Sequence, residues 1–330
     1  MKRTVRVLQS LAIFLLLPLA AQAQFEYEHA FLWTQVGGMQ DLGTLPGWPS
    51  SVAYGLSVSG EVVGYAPSNG DATVFRWTAK GGMHHPKGLS TTYSVALAVN
   101  EYGEIVGFYL PAPSQERAFL WTQAEGMQDL GTLGGTTTYA TAINRSGDVV
   151  GFSNTASGIQ HAFLWTKNGG MQDLGTLSGA TSISDAWGIN DSGLIVGRST
   201  GTNGDDVAVL WNGEKILSLG PGLAQGINNL GQVVGETYTP KTDQRAFIWT
   251  AESGMQDLGV LSGALASFGQ GINDSGEVVG WNITAGGYYQ AFIWTAAGGM
   301  QDIGNLGGLY GAQAFAINDA GQVAGGSSIQ

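Results

Sequence analysis

Seven copies of one short pattern run along this chain of 330 residues, and a tryptophan marks each copy. The tryptophan closes a short apolar run, and successive copies are 44, 44, 44, 46, 38 and 45 residues apart. The seven residues are Trp33, Trp77, Trp121, Trp165, Trp211, Trp249 and Trp294. A period of this length is typical of a repeat fold, in which each unit buries its faces against neighbours of its own kind.

Each copy predicts four short strands. The first strand is an unbroken apolar run such as residues 162–166, which indicates burial on both faces. A turn with glycine leads into Met-Gln-Asp-Leu-Gly, as in residues 171–175, and this predicts a hairpin. The remaining two strands form one block, as in residues 186–197, joined by a turn with asparagine early and glycine late.

Two positions of that block are nearly constant. The asparagine of the turn occurs in six copies, and Ser57 replaces it in the first. Two positions earlier only glycine or alanine occurs, which predicts that another backbone passes close by. These small residues are Gly55, Ala98, Ala142, Gly188, Gly226, Gly271 and Ala316.

Four strands in each of seven copies predict an all-β fold, a seven-bladed β-propeller of four-stranded blades. The copies abut without a linker, so we expect residues 24–330 to form a single domain of seven repeats of about 44 residues. If the Val-Val-Gly strand is innermost, the last one, near Val323, must join the blade begun by Phe31 and Met39. Strands from both termini would then close the ring and remove exposed sheet edges. An open solenoid and a β-helix are the alternatives.

The first 23 residues predict a secretory signal peptide. Lys2, Arg3 and Arg6 precede an apolar run at residues 11–20, and the small-residue triplet 21–23 predicts cleavage after Ala23. The apolar run is too short to span a membrane, so we expect a secreted or periplasmic protein without stable membrane insertion. Loss of three basic residues moves the formal net charge from -12 to -15, which excludes nucleic acid as a partner.

The repeat resembles a known family. The literal His-Ala-Phe at residues 29–31 and again at 161–163, together with the rest of the pattern, is similar to the HAF family of bacterial extracellular repeat proteins. The resemblance covers the whole mature chain and implies export and a repeated β architecture. It carries no activity to transfer. Some members end in a sorting tail of the PEP-CTERM type, whereas this sequence ends at Gln330 with no such tail.

Residues that recur in most copies are structural candidates, because one active site must break the repeat. We expect the Asp of Met-Gln-Asp to bond backbone rather than act as an acid or base. His84 and His85 depart from the pattern, but adjacent strand residues point to opposite faces and do not readily share a metal. The chain has no cysteine and no known catalytic signature, so no catalytic, cofactor or metal site is expected.

The candidate ligand face comes from the position after Val-Val-Gly, where the copies differ. If that strand is innermost, these side chains lie at its exit, beside the variable loops at residues 152–161 and 197–206 and the segment that contains Trp48. The candidates are Tyr65, Phe108, Phe152, Arg198, Glu236, Trp281 and Trp48, with Gly326 as a gap in the last copy. Aromatic and polar groups on loops of a rigid scaffold suit sugar or peptide ligands. The alternative is that these side chains only pack between blades.

The function that the sequence favours is an exported, non-enzymatic binding or scaffold module that presents one variable loop face to an extracellular polysaccharide or a protein. One alternative is a glycan-cleaving hydrolase or lyase with carboxylates at the mouth of the central channel. Another is a structural component of a surface or matrix layer.

Overall fold

A computed structural model describes residues 27–89, 93–179, 181–238 and 244–330. The predicted signal peptide, residues 1–23, lies outside the described residues. Every regular element in the described ranges is a β-strand, so the all-β prediction is confirmed. No helix long and apolar enough to cross a membrane occurs in these ranges.

The twenty-eight strands of the described ranges fall into four classes by their place in the repeat. The inner strands carry the small residue before the asparagine turn. They are β3 (Val52–Leu56), β7 (Ser94–Val99), β11 (Gly134–Ile143), β15 (Ser184–Ile189), β19 (Leu223–Ile227), β23 (Ala264–Ile272) and β27 (Gly307–Ile317). The second strands carry Val-Val-Gly or its equivalent. They are β4 (Val62–Ser68), β8 (Ile105–Ala112), β12 (Val149–Thr155), β16 (Ile195–Thr200), β20 (Val233–Tyr238), β24 (Val278–Thr284) and β28 (Val323–Ile329).

The third strands carry the repeat tryptophan. They are β1 (Glu28–Thr34), β5 (Asp71–Thr78), β9 (Gln115–Thr122), β13 (Gln160–Thr166), β17 (Asp206–Asn212), β21 (Gln244–Thr250) and β25 (Tyr289–Thr295). The outer strands mostly read Gly-Met-Gln-Asp. They are β2 (Gly38–Asp41), β6 (Gly82–His84), β10 (Gly126–Asp129), β14 (Gly170–Asp173), β18 (Lys215–Pro221), β22 (Gly254–Asp257) and β26 (Gly299–Asp302).

Within the described ranges, antiparallel pairing groups these strands into units of four, in the order inner, second, third, outer. Unit 1 combines β27 and β28 with β1 and β2, unit 2 is β3 to β6, and the units then follow chain order to unit 7, which is β23 to β26. Two single parallel pairs, β9 with β11 and β25 with β27, link neighbouring units.

Unit 1 is built from both ends of the chain. β1 pairs with β28 in antiparallel register from Glu28 opposite Ser328 to Trp33 opposite Val323. The expected partnership of the last Val-Val-Gly strand with the strand of Phe31 is therefore present. The first and last strands of the described chain therefore lie side by side in one sheet.

The premise that the Val-Val-Gly strand is innermost is wrong. The strand before the asparagine turn lies at the sheet edge, pairing with the second strand alone in units 2, 5 and 6, and it contacts the equivalent strand of the next unit. Both strands are short and apolar, so hydrophobicity did not distinguish them. The geometry does: each inner strand has a register shift at the small residue, as between Ala53 and Gly55, which is the signature of a β-bulge.

The bulge explains two glycine positions. A Cβ on Gly64 of Val-Val-Gly would collide with the carbonyl oxygen of Val52 on the inner strand, and the same clash recurs in every copy. A Cβ on Gly226 would lie 2.9 Å from the carbonyl oxygen of Gln270 in the next unit. The predicted close approach of another backbone is thus confirmed.

The hydrophobic core lies between neighbouring units. One cluster joins Val106 and Leu120 of unit 3 to Val149 and Phe163 of unit 4, and equivalent clusters fill the other junctions. Arg76 is a charged residue within an apolar run, and it is paired with Glu61. The Nε and Nη2 atoms of Arg76 donate to the two carboxylate oxygens of Glu61 at 2.5 and 2.7 Å.

The antiparallel order also separates the turns. The asparagine turns and the short turns before the outer strands lie at one end of the units, which we call the Asn-turn end. The loops after the second strands and the connections between units lie at the other, which we call the loop end.

Candidate functional site

The asparagine turns of all seven units meet around one cavity of about 260 Å³. Each turn contributes an aliphatic residue, the asparagine or its serine replacement, and the residue that follows. In unit 5 these are Ile189, Asn190 and Asp191. The cavity therefore has an aliphatic ring, an amide ring and an outer rim.

The amide ring is a ladder of hydrogen bonds between units. Asn190 donates through Nδ2 to the carbonyl oxygen of Asn228 at 3.0 Å, and Asn318 donates to that of Ser57 at 3.0 Å across 261 residues of sequence. The other rungs are donated by Asn100, Asn144, Asn228 and Asn273. Ser57 has no amide to continue the series. The asparagines are therefore mostly committed to joining the units.

The outer rim has a similar series of hydrogen bonds between units, but the series joins fewer of them. Backbone N–H groups of Arg145 and Asp191 donate to the side chains of Asp191 and Asn229 in the next unit, both at 3.0 Å. The series continues to Asp274 and Asp319. Because these side chains accept backbone bonds, the rim carboxylates hold turns in place.

The variable ring consists of the positions after Val-Val-Gly: Tyr65, Phe108, Phe152, Arg198, Glu236, Trp281 and Gly326. Each is the fourth residue of a second strand, near the middle of that strand, rather than at the strand exit that was expected. Phe108, Arg198, Glu236 and Trp281 are buried, and Tyr65 and Phe152 are half-buried. Their role in ligand binding stays a prediction, and the structure places them in the wall around the centre rather than on an open surface.

One half of the variable ring is aromatic. Phe108 lies 4.4 Å from the Tyr139 ring of the next unit, and Tyr139 stacks on Phe152 at 4.9 Å. Phe152 in turn contacts Trp187 of unit 5 at 5.8 Å. Units 3 to 5 are thus joined by one run of rings.

The other half is polar. Arg198 of unit 5 donates to Asp185 through Nε and Nη2 and to Asp206 through Nη1 at 3.2 Å. Burial alone would lower the pKa of this guanidinium, but the two carboxylates outweigh that effect and raise it. Burial raises the pKa of Glu236 in unit 6 to about 8, against the opposing effects of the Gln225 side chain and Arg198. Glu236 is therefore largely protonated at neutral pH.

The gap at Gly326 is filled by a residue that the sequence analysis missed. The Oε1 atom of Glu28 lies 2.3 Å from where a Cβ of Gly326 would be, so the carboxyl group occupies the space that a side chain at position 326 would take. Although Glu28 keeps part of its surface exposed, desolvation raises its pKa to about 7. Burial is the main cause that raises the pKa values of Tyr54 in unit 2 and Tyr289 in unit 7, and the charge of Glu28 raises both further. Glu28 thus belongs to a polar centre shared by three units.

Three buried polar atoms near this centre have no hydrogen-bond partner. They are Oε2 of Glu236, Nε1 of Trp281 and Oε1 of Gln313, in residues that are 4%, 6% and 3% exposed. Each comes from a different unit, in the order 6, 7 and 1, and Gln313 pairs with Gly326. Unpaired buried polar atoms are uncommon and costly, so water or a ligand is expected to meet them.

The exposed apolar side chains of the loop end lie in the same three units as these unpartnered atoms. Among the described residues, the large exposed hydrophobic side chains at that end all belong to units 6, 7 and 1. They are Tyr27, Tyr238, Leu265, Tyr288 and Leu309. Trp48, the remaining candidate, is instead half-buried and packs against the core cluster between units 1 and 2.

The other sequence candidates have local roles. Asp41, Asp129, Asp173, Asp257 and Asp302 each accept the backbone N–H two residues later, so the prediction that they bond backbone is confirmed. His84 and His85 have ring nitrogens beside the carbonyl oxygens of Gly82 and Pro86, at 3.3 and 2.9 Å. No group of three or more potential metal ligands occurs within the ranges that the structure covers.

Solved structures resemble this arrangement. A puromycin-hydrolyzing peptidase from Mycobacterium tuberculosis matches with a TM-score of 0.57 and 11% identity, over 85% of this chain and 53% of the peptidase. The β-propeller domain of the Trilobed protease from Pyrococcus furiosus matches with a TM-score of 0.56 and 11% identity, over 80% and 84% of the two chains. A putative TolB from Agrobacterium tumefaciens matches with a TM-score of 0.54 and 10% identity, over 92% and 99%. The fold is a β-propeller.

At this level of identity the β-propeller likeness concerns the fold alone. No family model matches the chain. No curated protein matches it either. The function must therefore be argued from the residues themselves.

Proposed function

We propose that the chain forms a closed propeller of seven blades, each blade being one of the four-stranded units, with residues 24–330 as a single domain. Three observations support closure. β1 pairs with β28, the amide ladder passes from Asn318 to Ser57, and β27 contacts β3. A cavity lined by the turns of all seven units fits a ring.

We further propose that this propeller is an exported, non-enzymatic binding module whose ligand face is the loop end. The observation that carries the proposal is the distribution of variation: the Asn-turn end repeats one device, whereas the variable ring and the loop end differ from unit to unit. Loops and side chains that vary on a rigid frame are where recognition is usually found. The ligand classes that fit are an extracellular polysaccharide and a protein.

Export and family membership belong to the same proposal. A signal peptide at residues 1–23 and membership of the HAF repeat family both follow from sequence patterns. N-terminal sequencing of the protein secreted by a bacterial host should begin at Gln24. Retention of an uncleaved chain in the cytoplasm would contradict the export proposal.

The catalytic alternative has less support. The carboxylates at the rim of the described cavity accept backbone hydrogen bonds from neighbouring turns, which is a structural use. A role in a matrix layer remains compatible with a binding face, since such a layer would use the same surface.

A glycan array probed with residues 24–330 tests the binding proposal, with variants at both ends. Tyr288→Ala and Leu309→Ala change exposed residues at the loop end, and Tyr102→Ala and Leu230→Ala are matched controls at the Asn-turn end. We expect hits without product release, weakened by the loop-end variants and unchanged by the controls. Weakening by the controls alone, or release of cleaved sugar, would overturn the proposal.

A further inference from the structure

The loop end differs between sectors, and one sector combines two features. We call units 6, 7 and 1 the 6–7–1 sector. It contains the three unpartnered buried atoms of the variable-ring level, and it contains the exposed apolar side chains of the loop end. The described part of units 3 to 5 has none of the exposed apolar side chains of the loop end, and its unpartnered buried atoms, Nε2 of His161 and Oγ of Ser178, lie on a third strand and in a connection between units.

The unpartnered atoms define what a ligand must offer. Trp281 Nε1 can only donate, so the ligand needs an acceptor. The Oε1 atom of Gln313 can only accept, so the ligand needs a donor. A hydroxyl group supplies both, and a chain of hydroxyl groups supplies them repeatedly.

The burial of this sector disfavours an anionic ligand, because the desolvation that raises the pKa values of Glu28 and Glu236 would act equally on a uronate carboxylate. Glu28 and Glu236 line the same level, and Asp185 and Asp206 stand beside them in unit 5. The nearby cation, Arg198, already donates to both aspartates. Arg198 is therefore already paired and does not offer its charge to the carboxylate of an anionic sugar.

The aromatic geometry supplies the apolar part of recognition. Trp281 stacks on Phe268 at 4.0 Å and meets Tyr289 edge-on at 5.4 Å, which fixes the orientation of its indole. At the rim, Tyr288 lies 6.3 Å from Tyr310. Rings of this kind pack against the C–H faces of sugars while their polar atoms form hydrogen bonds.

We infer that the 6–7–1 sector binds a neutral, hydroxyl-rich glycan, with Trp281, Gln313 and Glu236 donating to and accepting from its hydroxyl groups. The inference rests on the proposed function, since it names the ligand class of the loop-end site. A charged polyuronate and a protein are the competing outcomes.

The test is isothermal titration calorimetry of residues 24–330 with neutral oligosaccharides (β-glucan, mannan, galactan and xylan) and with polyuronates of matched length. We expect at least one neutral glycan to bind and no polyuronate to bind as tightly. Trp281→Phe keeps the ring and removes the N–H donor, and it should weaken binding at least tenfold. Trp187→Phe, which removes an indole N–H that already donates to Asp185 in unit 5, is the matched control and should change affinity less than twofold.

Glu236→Gln guards against a folding defect in Trp281→Phe, because it keeps the size of the side chain and alters the hydrogen-bonding atom. It should weaken the same neutral glycan at least threefold, with circular dichroism unchanged. Preference for polyuronates, or no binding of any neutral glycan, overturns the inference. Neutral binding that both variants leave intact also overturns it, while the loop-end variants of the previous section still decide whether the binding proposal stands.

Discussion

The Asn turns and the variable ring each take one residue from every unit of the propeller, but only the Asn turns repeat the same contact. At the Asn-turn end, six asparagines form the same cross-unit hydrogen bond, and the bond recurs with lengths of 2.9 to 3.4 Å. At the variable ring the residue that each unit contributes is aromatic, cationic, acidic or glycine. Both rings contain contacts between units, but the Asn turns repeat one contact, whereas the variable ring has aromatic contacts between units 3, 4 and 5 and, between units 5 and 6, the effect of Arg198 on the pKa of Glu236.

The largest expected effect is at the regular end. Asn190→Ala removes the bond to Asn228 and the two bonds that Oδ1 accepts from Ser192 and Leu194. Since buried groups are left unpaired, we expect the free energy of unfolding to fall by about 3 kcal/mol, measured by urea denaturation.

Asn190→Ser is the matched control for that prediction. Ser57 shows that a serine in this turn still accepts a backbone N–H, that of Glu61 at 3.0 Å. The serine variant should therefore lose only part of the stability, about 1 to 2 kcal/mol. Both variants lose the cross-unit bond, so an equal loss would mean that the local bonds contribute nothing. No loss in Asn190→Ser would mean that the cross-unit bond contributes nothing, and the contrast between the two ends would fail.

The next prediction concerns pH and belongs to the variable ring. The pKa of Glu236 is raised from 4.5 to about 8, so the folded state binds the proton more tightly than the unfolded state. The stabilising effect of that proton is full below pH 4.5 and is lost as the pH rises towards 8. Glu236→Gln should be close to wild type at pH 4.5 and more stable by about 2 kcal/mol at pH 6, because pH 6 lies about 1.5 units above the unfolded pKa of 4.5 and each unit corresponds to about 1.4 kcal/mol.

Thermal unfolding at several pH values measures this difference, and Glu214→Gln, in an exposed turn, is the control. The control should follow the wild-type profile. A wild-type stability that does not fall between pH 5 and 8, or a variant with the same slope, would show that Glu236 is ionised in the fold. The protonation of Glu236 would then no longer distinguish the variable ring from the Asn turns.

The regular end is also the one that the sequence predicts well. Recurrence of Asn and Gly predicted the turns, and the Gly or Ala two positions earlier predicted the close backbone. The order of strands in the sheet was not predictable, because the inner and second strands are equally short and apolar. The filling of Gly326 by Glu28 was not predictable either, since the two residues are 298 positions apart and meet only through pairing of the terminal strands.

The sequence does not predict which polar atoms of the 6–7–1 sector lack a hydrogen-bond partner. Trp281 and Glu236 were singled out as variable, but variability does not show whether a polar atom finds a partner. Gln313 was not singled out at all, because it lies on the inner strand opposite a glycine. Gln313 and Gly326 lie opposite each other only through the pairing of β27 with β28, which the sequence of one strand alone does not show.

The smallest expected effect completes the amide ladder. Ser57 is the one member of the ring without an amide, and no bond runs from its side chain to the carbonyl oxygen of Asn100 in the next unit. Ser57→Asn should supply that bond and raise the free energy of unfolding by about 1 kcal/mol, the net value of a typical intramolecular hydrogen bond. Ser59→Asn, two residues later in the same turn and exposed, is the control and should change stability little.

A gain specific to Ser57→Asn would sharpen the contrast between the two ends, because it would show that completing the amide ladder raises the free energy of unfolding. A loss would mean that unit 2 has a turn geometry of its own. Glu61, which follows that turn, offers the reason such a difference could exist: its carboxylate is held by Arg76 and is not placed to accept the new amide, whereas Glu104 and Glu277 accept the asparagine amides of their own turns at 2.6 and 2.7 Å. The double variant Ser57→Asn with Arg76→Leu releases Glu61 and should recover the gain if that ion pair is what prevents it.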